Sequence, residues 1–249
     1  MKKNILICGL LLLSSFYLFT SEEPKEPRGD SLEQDELAVL ESFEQWAQDS
    51  PDKKLEDTLL HIAARHGKTR EARFLLDRGA DVDARDHHLD TPLHIASEKG
   101  HVGFSILLLD RGADVDAGGG YELRTPLHCT AYKGHVGVAE LLLDRGADVD
   151  ARSVERSTPL HYAADNGRVD IATLLLDRGA EVDARDNIQR TPLHVASCMG
   201  HVGVIFLLRC HGASIEAVNS FGSRPIDLAI TDRAIDALTH FVEPEPELF

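Results

Sequence analysis

The peptide LLLDRGADVDA occupies residues 107–117 and returns unchanged at 141–151. Near copies stand at 74–84 and 174–184, and a worn one, LLRCHGASIEA, at 207–217. A second phrase keeps step: TLLHIAARHG from Thr58, TPLHIASEKG from Thr91, TPLHCTAYKG from Thr125, TPLHYAADNG from Thr158, TPLHVASCMG from Thr191, then RPIDLAITDR from Arg224. Successive starts are separated by 33, 34, 33, 33 and 33 residues. A fixed period of this length makes the chain a stack of equivalent units, each too small to bury its apolar side without neighbours. Any residue that recurs in phase must therefore be explained by the scaffold before it is read as chemistry.

Within one unit, Thr91 suits an N-cap, and Pro92 suits the first helical position, where a missing N–H costs nothing. A short helix carrying Leu93, Ile95 and Ala96 is predicted to run to Gly100, which supplies a left-handed stop. After His101 a second helix, Val102–Asp110, holds Ile106, Leu107, Leu108 and Leu109 and stops at Gly112. Residues 113–124 are polar and rich in turn formers, an extended connector to the next Thr-Pro. Neither helix is long enough to be stable alone, so the pairs must stack.

The pattern TPLHxAxxxGHxxxxxLLLxxGADVDA resembles the ankyrin repeat, over five full units from 58 and a partial one from 224, ending near 242. The resemblance implies an all-α repeat solenoid of antiparallel helix pairs joined by β-turn fingers. It departs from the family pattern at several points. The finger glycine survives at Gly222 but is replaced by Leu89, Arg156 and Gln189, where a left-handed backbone would cost energy. The Asn of the family's DVNA phrase is Asp83, Asp116, Asp150 and Asp183. Leu59 stands where proline is expected and Asp227 where histidine is.

Stack ends need polar covers. Residues 32–57 follow Ser31, which with Leu32-Glu33-Gln34 makes a capping-box pattern, and place Val39, Leu40, Phe43, Trp46 and Ala47 on one helical face, as an N-terminal capping helix and linker would. Residues 234–241 read as the closing helix, before an acidic tail at 243–249. Ahead of them, Met1-Lys2-Lys3 and eighteen uncharged residues ending at Ser21 have the form of an export signal. The stretch also approaches the ~17–25 residues that span a bilayer. Thr20 and Ser21 are passable small residues, but no Ala-x-Ala site is present, so a cleaved signal peptide and a retained signal anchor both stay open for 1–21. Either places the repeats away from the cytoplasm, periplasmic, extracellular or anchored facing outward. Cys8 follows a bulky Ile7 and a short apolar run, which argues against lipidation there.

The net charge of −16 is concentrated at the flanks. Residues 22–57 hold thirteen acidic against four basic side chains, and 22–31, with Pro24, Pro27 and Gly29, read as a flexible acidic spacer. No basic concentration suggests a nucleic-acid footprint. Without the leader, three cysteines remain, Cys129, Cys198 and Cys210. Cys198 and Cys210 fall at far ends of antiparallel helices, beyond the reach of a disulfide, so free thiols are expected, which argues against a strongly oxidising destination.

Thirteen histidines invite a metal or acid–base reading, but the period explains most of them. The TPLH histidines His94, His128 and His194 occupy a position that the resemblance assigns to hydrogen bonding between repeats, and His101, His135 and His201 open the following turn. His87-His88 lack cysteine or carboxylate partners at ligand spacing. Gly118-Gly119-Gly120 lacks the Lys-Ser/Thr of a phosphate loop and coincides with the one extra residue of the 34-residue unit. No catalytic, metal or cofactor site is predicted, and no enzyme.

Comparing the copies separates scaffold letters from changing ones. The changing ones fall at the inner-helix ends, Arg65, His66, Glu98, Lys99, Tyr132, Lys133, Asp165, Asn166, Cys198 and Met199. Others fall in the fingers: His87, His88, Asp90, Tyr121, Glu122, Arg124, Val154, Glu155, Ser157, Asn187, Ile188, Arg190 and Phe221. The resemblance implies that such positions line a concave groove holding a partner protein or peptide, with Tyr121, Tyr132, Ile188, Met199 and Phe221 as its anchors. The expected function is a non-catalytic protein–protein interaction module on the far side of a membrane. The alternatives are an envelope structural or protective factor without a discrete ligand, and a secreted effector acting in a host cell.

Overall fold

Five helix pairs and a terminal half-unit follow one another along residues 53–240, the part of the chain that the computed structural model describes. The leader, the acidic spacer, the cap residues before Lys53 and the tail lie outside the described residues. The inner helices are α1 (Lys53–His66), α3 (Pro92–Lys99), α5 (Pro126–Lys133), α7 (Pro159–Asp165) and α9 (Pro192–Met199). Their outer partners are α2 (Thr69–Asp77), α4 (Val102–Asp110), α6 (Val136–Asp144), α8 (Val169–Asp177) and α10 (Val202–Cys210). A single 3₁₀ turn, Pro225–Leu228, and α11 (Asp232–Thr239) close the stack. Each inner helix packs on the inner helices before and after it, and each outer helix on its own partner and its outer neighbours.

The Thr-Pro start works as the sequence suggests. Thr91 is extended, with ψ 163°, and Pro92 enters the helix at its first turn; Thr125, Thr158 and Thr191 repeat the arrangement. Thr58 does not. Proline pushes the residue before it out of the helical region; Leu59 exerts no such push, so α1 begins at Lys53 and Thr58 lies inside it rather than capping it. At the other end, α11 occupies Asp232–Thr239 rather than 234–241, because Thr231 caps it by accepting the Ala234 N–H at 3.1 Å.

Almost every letter of the recurring peptide has a physical task. Leu108, Leu142, Leu175 and Leu208 are fully buried between helices. Both alanines of each copy are buried, including Ala113 and Ala117, Ala147 and Ala151. The glycine takes a left-handed turn, as at Gly112 (φ 86°), and the next residue closes the helix end, Ala113 N–H to Leu108 O at 3.0 Å. The remaining letters join one unit to the next. Arg111 pairs with Asp77 (2.8 Å), Arg145 with Asp110 (2.9 Å) and Arg178 with Asp144 (2.9 Å). The Asp83 carboxylate accepts the Asp114 N–H, Asp116 that of Asp148, Asp150 that of Glu181, and Asp183 that of Ser214, with both oxygens at 3.0–3.2 Å. Two acceptor oxygens are what Asp offers here over the Asn of the family phrase.

The fingers keep their left-handed residue without glycine. Leu89, Arg156 and Gln189 have φ of 70°, 60° and 63°, against 77° for Gly222. In the 34-residue unit the turn is longer: Gly119 and Arg124 exchange two backbone hydrogen bonds, and Gly120 and Leu123 take positive φ between them. From that finger onward the tips are laced together, Val154 N–H to Glu122 O, Asn187 to Glu155 and Ser220 to Ile188, at 2.8–2.9 Å.

Candidate partner-binding face

The TPLH histidines belong to the scaffold. In each, Nε2 faces a backbone carbonyl of the following finger: His94 to Arg124 O (2.8 Å), His128 to Ser157 O (3.0 Å), His161 to Arg190 O (3.1 Å) and His194 to Ser223 O (3.1 Å). A carbonyl only accepts, so Nε2 carries the proton. Nδ1 then receives the N–H of the capping threonine three residues back, at 3.1–3.2 Å, the reach-back half of a capping box. Each ring thus joins a helix start to the next repeat in the neutral state only. Burial pushes the His128 and His161 pKa values down to about 4 and lowers those of His94 and His194.

The second set of histidines reaches backwards. His101 Nε2 meets Arg65 O (3.2 Å), His135 meets Glu98 O (2.9 Å) and His201 meets Asp165 O (3.0 Å). Arg168 takes the same place, its Nε donating to Tyr132 O at 3.3 Å. The rings cover glycines of the preceding unit, so that a Cβ on Gly100 would come within 2.7 Å of His135. The His87 and His88 rings lie side by side, centroids 3.8 Å apart and tilted by 46°. Among the described residues no group of three or more His, Cys, Asp or Glu is placed to hold a metal ion. Cys129, Cys198 and Cys210 are unpaired, and burial pushes the Cys129 thiol up to about 12.

The changing positions fall into two rows. His66, Glu98, Lys99, Tyr132, Lys133, Asp165, Asn166, Cys198 and Met199 stand at or just past inner-helix C-termini, and the others stand in the fingers. Their charges are largely answered within the face. Glu98 receives Lys133 at 3.2 Å and Lys99 at 3.5 Å. Burial pushes the Glu98 carboxyl up, but these lysines outweigh it and leave its pKa below the ordinary value. Glu122 pairs with Arg124 at 3.2 Å and accepts the Tyr162 hydroxyl at 3.1 Å, while the Arg124 guanidinium lies 5.8 Å from the centre of the Tyr162 ring. Burial, then Glu122, push the Tyr162 phenol up to about 12. Arg190 is held by the fully buried Asp186 at 2.8 Å, and Lys133 lies 5.1 Å from the centre of the Tyr132 ring.

Apolar side chains project from this face. Tyr121 is 80 % and Phe221 77 % exposed, with Val154, Met199 and Tyr132 also open to solvent. His87, His88, Glu155 and Asn187 are exposed beside them. Ile188 is half-buried and so is a weaker anchor than the sequence implied; Asp90, too, is half-buried, its carbonyl receiving His61 Nε2 at 3.1 Å. Ser157, read from the sequence as an exposed finger position, is buried, and its carbonyl accepts the His128 Nε2–H. Sequence reasoning missed Leu89, Leu123 and Ile230, all exposed, and Tyr162. Leu89 was read only as a missing glycine, yet an apolar residue at a finger tip was the available signal. Tyr162 shares its place in the inner helix with Ile95 and Val195, both buried, and nothing in the spacing separates it from them.

Stacked helix pairs with laced β-turn fingers define a helical-repeat solenoid. A family model described as ankyrin repeats (three copies) matches residues 36–119, 119–186 and 155–219, and the chain belongs to the ankyrin-repeat family. No curated protein matches it. Ankyrin repeats are generally protein–protein interaction modules, and the proteins that carry them are generally non-catalytic scaffolds.

Proposed function

We propose that this chain is a non-catalytic binding module that holds a partner protein through its fingers and inner-helix ends. One observation carries the reading. The charges of the face are largely answered within it, whereas Tyr121, Tyr132, Val154, Met199 and Phe221 stand open. Covering such a face strands few unpaired charges and gains the burial of aromatic and thioether side chains, the combination found at interface hot spots. The partner segment is one with apolar side chains to set between the finger tips and the helix ends.

The address of the module rests on residues 1–21, read as a signal peptide or signal anchor that carries the repeats across a membrane. Among the described residues no helix is long and apolar enough to cross one.

The test pairs capture with stability. Full-length chain and a Tyr132→Ser, Met199→Ser double variant are used to pull partners from an envelope extract, and both are melted by circular dichroism. Loss of a captured band with an unchanged melting curve is the expected result. Equal capture by the variant removes the groove from the reading and favours a structural role without a discrete ligand. Fractionation with mass spectrometry of the mature N-terminus tests the address: an intact, soluble cytosolic chain overturns it.

A further inference from the structure

The exit of α7 differs from its four sisters. The other inner helices leave through His66-Gly67, Lys99-Gly100, Lys133-Gly134 and Met199-Gly200; α7 leaves through Asn166-Gly167. In the sisters the glycine N–H is held: Gly67 by Ala64 O (3.4 Å), Gly100 by Ala96 O, Gly134 by Thr130 O (2.8 Å) and Gly200 by Ser197 O (3.2 Å). The Gly167 N–H has no acceptor among the described residues. α7 is also a residue shorter than α3, α5 and α9, seven against eight. Asn166 is half-buried, its Nδ2 donating to Tyr162 O at 3.0 Å and to Asp165 Oδ2 at 3.3 Å.

The geometry points to Asn166-Gly167 as a site of spontaneous covalent modification, deamidation through a succinimide. The Gly167 amide nitrogen, its proton taken by hydroxide, adds to Asn166 Cγ. The Cγ–Nδ2 bond breaks, ammonia departs with a proton from solvent, and a five-membered imide remains. Water then opens the imide at one carbonyl or the other, leaving aspartate or isoaspartate. One water enters, one ammonia leaves, and nothing is oxidised or reduced. Glycine favours the step because it has no side chain to crowd the attacking nitrogen. Asn187 precedes Ile188 and Asn219 precedes Ser220, and both Asn side chains or their neighbours are so hindered or engaged that they serve as internal controls.

Asn166 has ψ 8°, so ring closure needs a rotation about its Cα–C bond. The last turn of a short helix frays at little free-energy cost; the Gly167 N–H adds no bond against it, and those that must open are Val169 N–H to Gly167 O (3.1 Å) and Arg168 N–H to Ala163 O (2.9 Å). The product places a second carboxylate beside Asp165. Isoaspartate also inserts a methylene into the backbone between α7 and the turn on which the His201 ring rests, 2.7 Å from where a Gly167 Cβ would sit. The His201 bond to Asp165 O, and with it the junction between the fourth and fifth units, is the contact that ages.

Full-length chain is incubated at pH 8 and 37 °C, native and in urea, and mapped by peptide mass spectrometry with isoaspartate detection. The native chain is expected to gain one mass unit in the peptide containing Asn166, at a rate within about tenfold of the unfolded chain, as fraying allows. An Asn166→Gln variant loses the gain. A native rate more than a hundredfold below the unfolded one, or a gain at Asn187 or Asn219 in place of Asn166, overturns the assignment.

Discussion

Lowering the pH from 7 to 5 should loosen the stack through its buried histidines, and the size of the effect follows from their bonding. In the unfolded chain a histidine titrates near 6.5; His128 and His161 in the fold titrate near 4. Above 6.5 both states are neutral and the full stability is present. As the pH falls through 6.5 the unfolded chain takes up protons that the folded one refuses, so stability is lost down to about 4, where the loss levels off. At pH 5 the unfolded state is favoured by about 1.5 units of pH, or about 2 kcal/mol for each histidine, at ~1.4 kcal/mol per unit. The two together cost about 4 kcal/mol, which at a urea slope of about 2 kcal/mol/M moves the midpoint down by about 2 M. Asp83, Asp116 and Asp150 have pKa values raised by burial and work in the opposite sense. As the pH falls they add stability where the histidines remove it, so the histidine pair is isolated by comparison with a variant that keeps these aspartates. The comparison is with a His128→Gln, His161→Gln double variant, since glutamine can make the reach-back bond of a capping box without titrating. It should start lower at pH 7 and lose about 4 kcal/mol less on acidification. Equal losses in the two proteins would refute the assignment of the neutral Nε2–H form as the one that holds the repeats together.

Other perturbations follow from single contacts. Gln189→Gly should stabilise by about 0.5–1 kcal/mol in urea unfolding, since a left-handed L-residue costs ~1–2 kcal/mol and glycine gives back ~0.5–1 in unfolded-state entropy. Gly119→Ala should destabilise by about 1–3 kcal/mol, because the new methyl would sit 2.5 Å from His94 Nε2, whereas Gly118→Ala, 3.6 Å from Leu123, should be nearly neutral in the same assay. Asp116→Ala should cost about 1 kcal/mol by stranding the Asp148 N–H, more than Asp110→Ala, whose pair with Arg145 is exposed and screened.

Most of the fold was legible because the helix boundaries are written in residue types with one conformational use. Thr-Pro sets a start and Gly a stop, and five copies in phase leave no ambiguity of register. Where the signal was missing the reading slipped: without proline at 59, the first helix begins at Lys53, six residues further back. The fingers show the limit of a residue-by-residue rule. Positive φ at Leu89, Arg156 and Gln189 is unfavourable locally, and the laced backbone bonds on either side impose it regardless. The candidate face was legible as a set of changing positions, but not as an electrostatic arrangement. That Lys133 answers Glu98, and that Tyr162 reaches Glu122, depends on contacts between residues 35 and 40 apart in sequence, which only the stacking geometry determines. The backward reach of His101, His135 and His201 was equally silent, since their place beside a glycine already had a sufficient local reason.

Each of the four junctions between full units is fastened by two arms of opposite direction, a histidine extended forward from one unit and a histidine or arginine extended back from the next. A unit therefore carries one half of two different joints, and the halves it leaves behind when removed are a matching pair. Excising residues 158–190 would set Thr191 directly after Ser157, keep the Ser157 carbonyl for His128, and bring the Asp150 carboxylate to the Ser214 N–H in place of that of Glu181. Gain or loss of whole units by unequal recombination of the coding sequence can thus change the length of the binding face in steps of 33 or 34 residues while leaving the joints between the remaining full units closed.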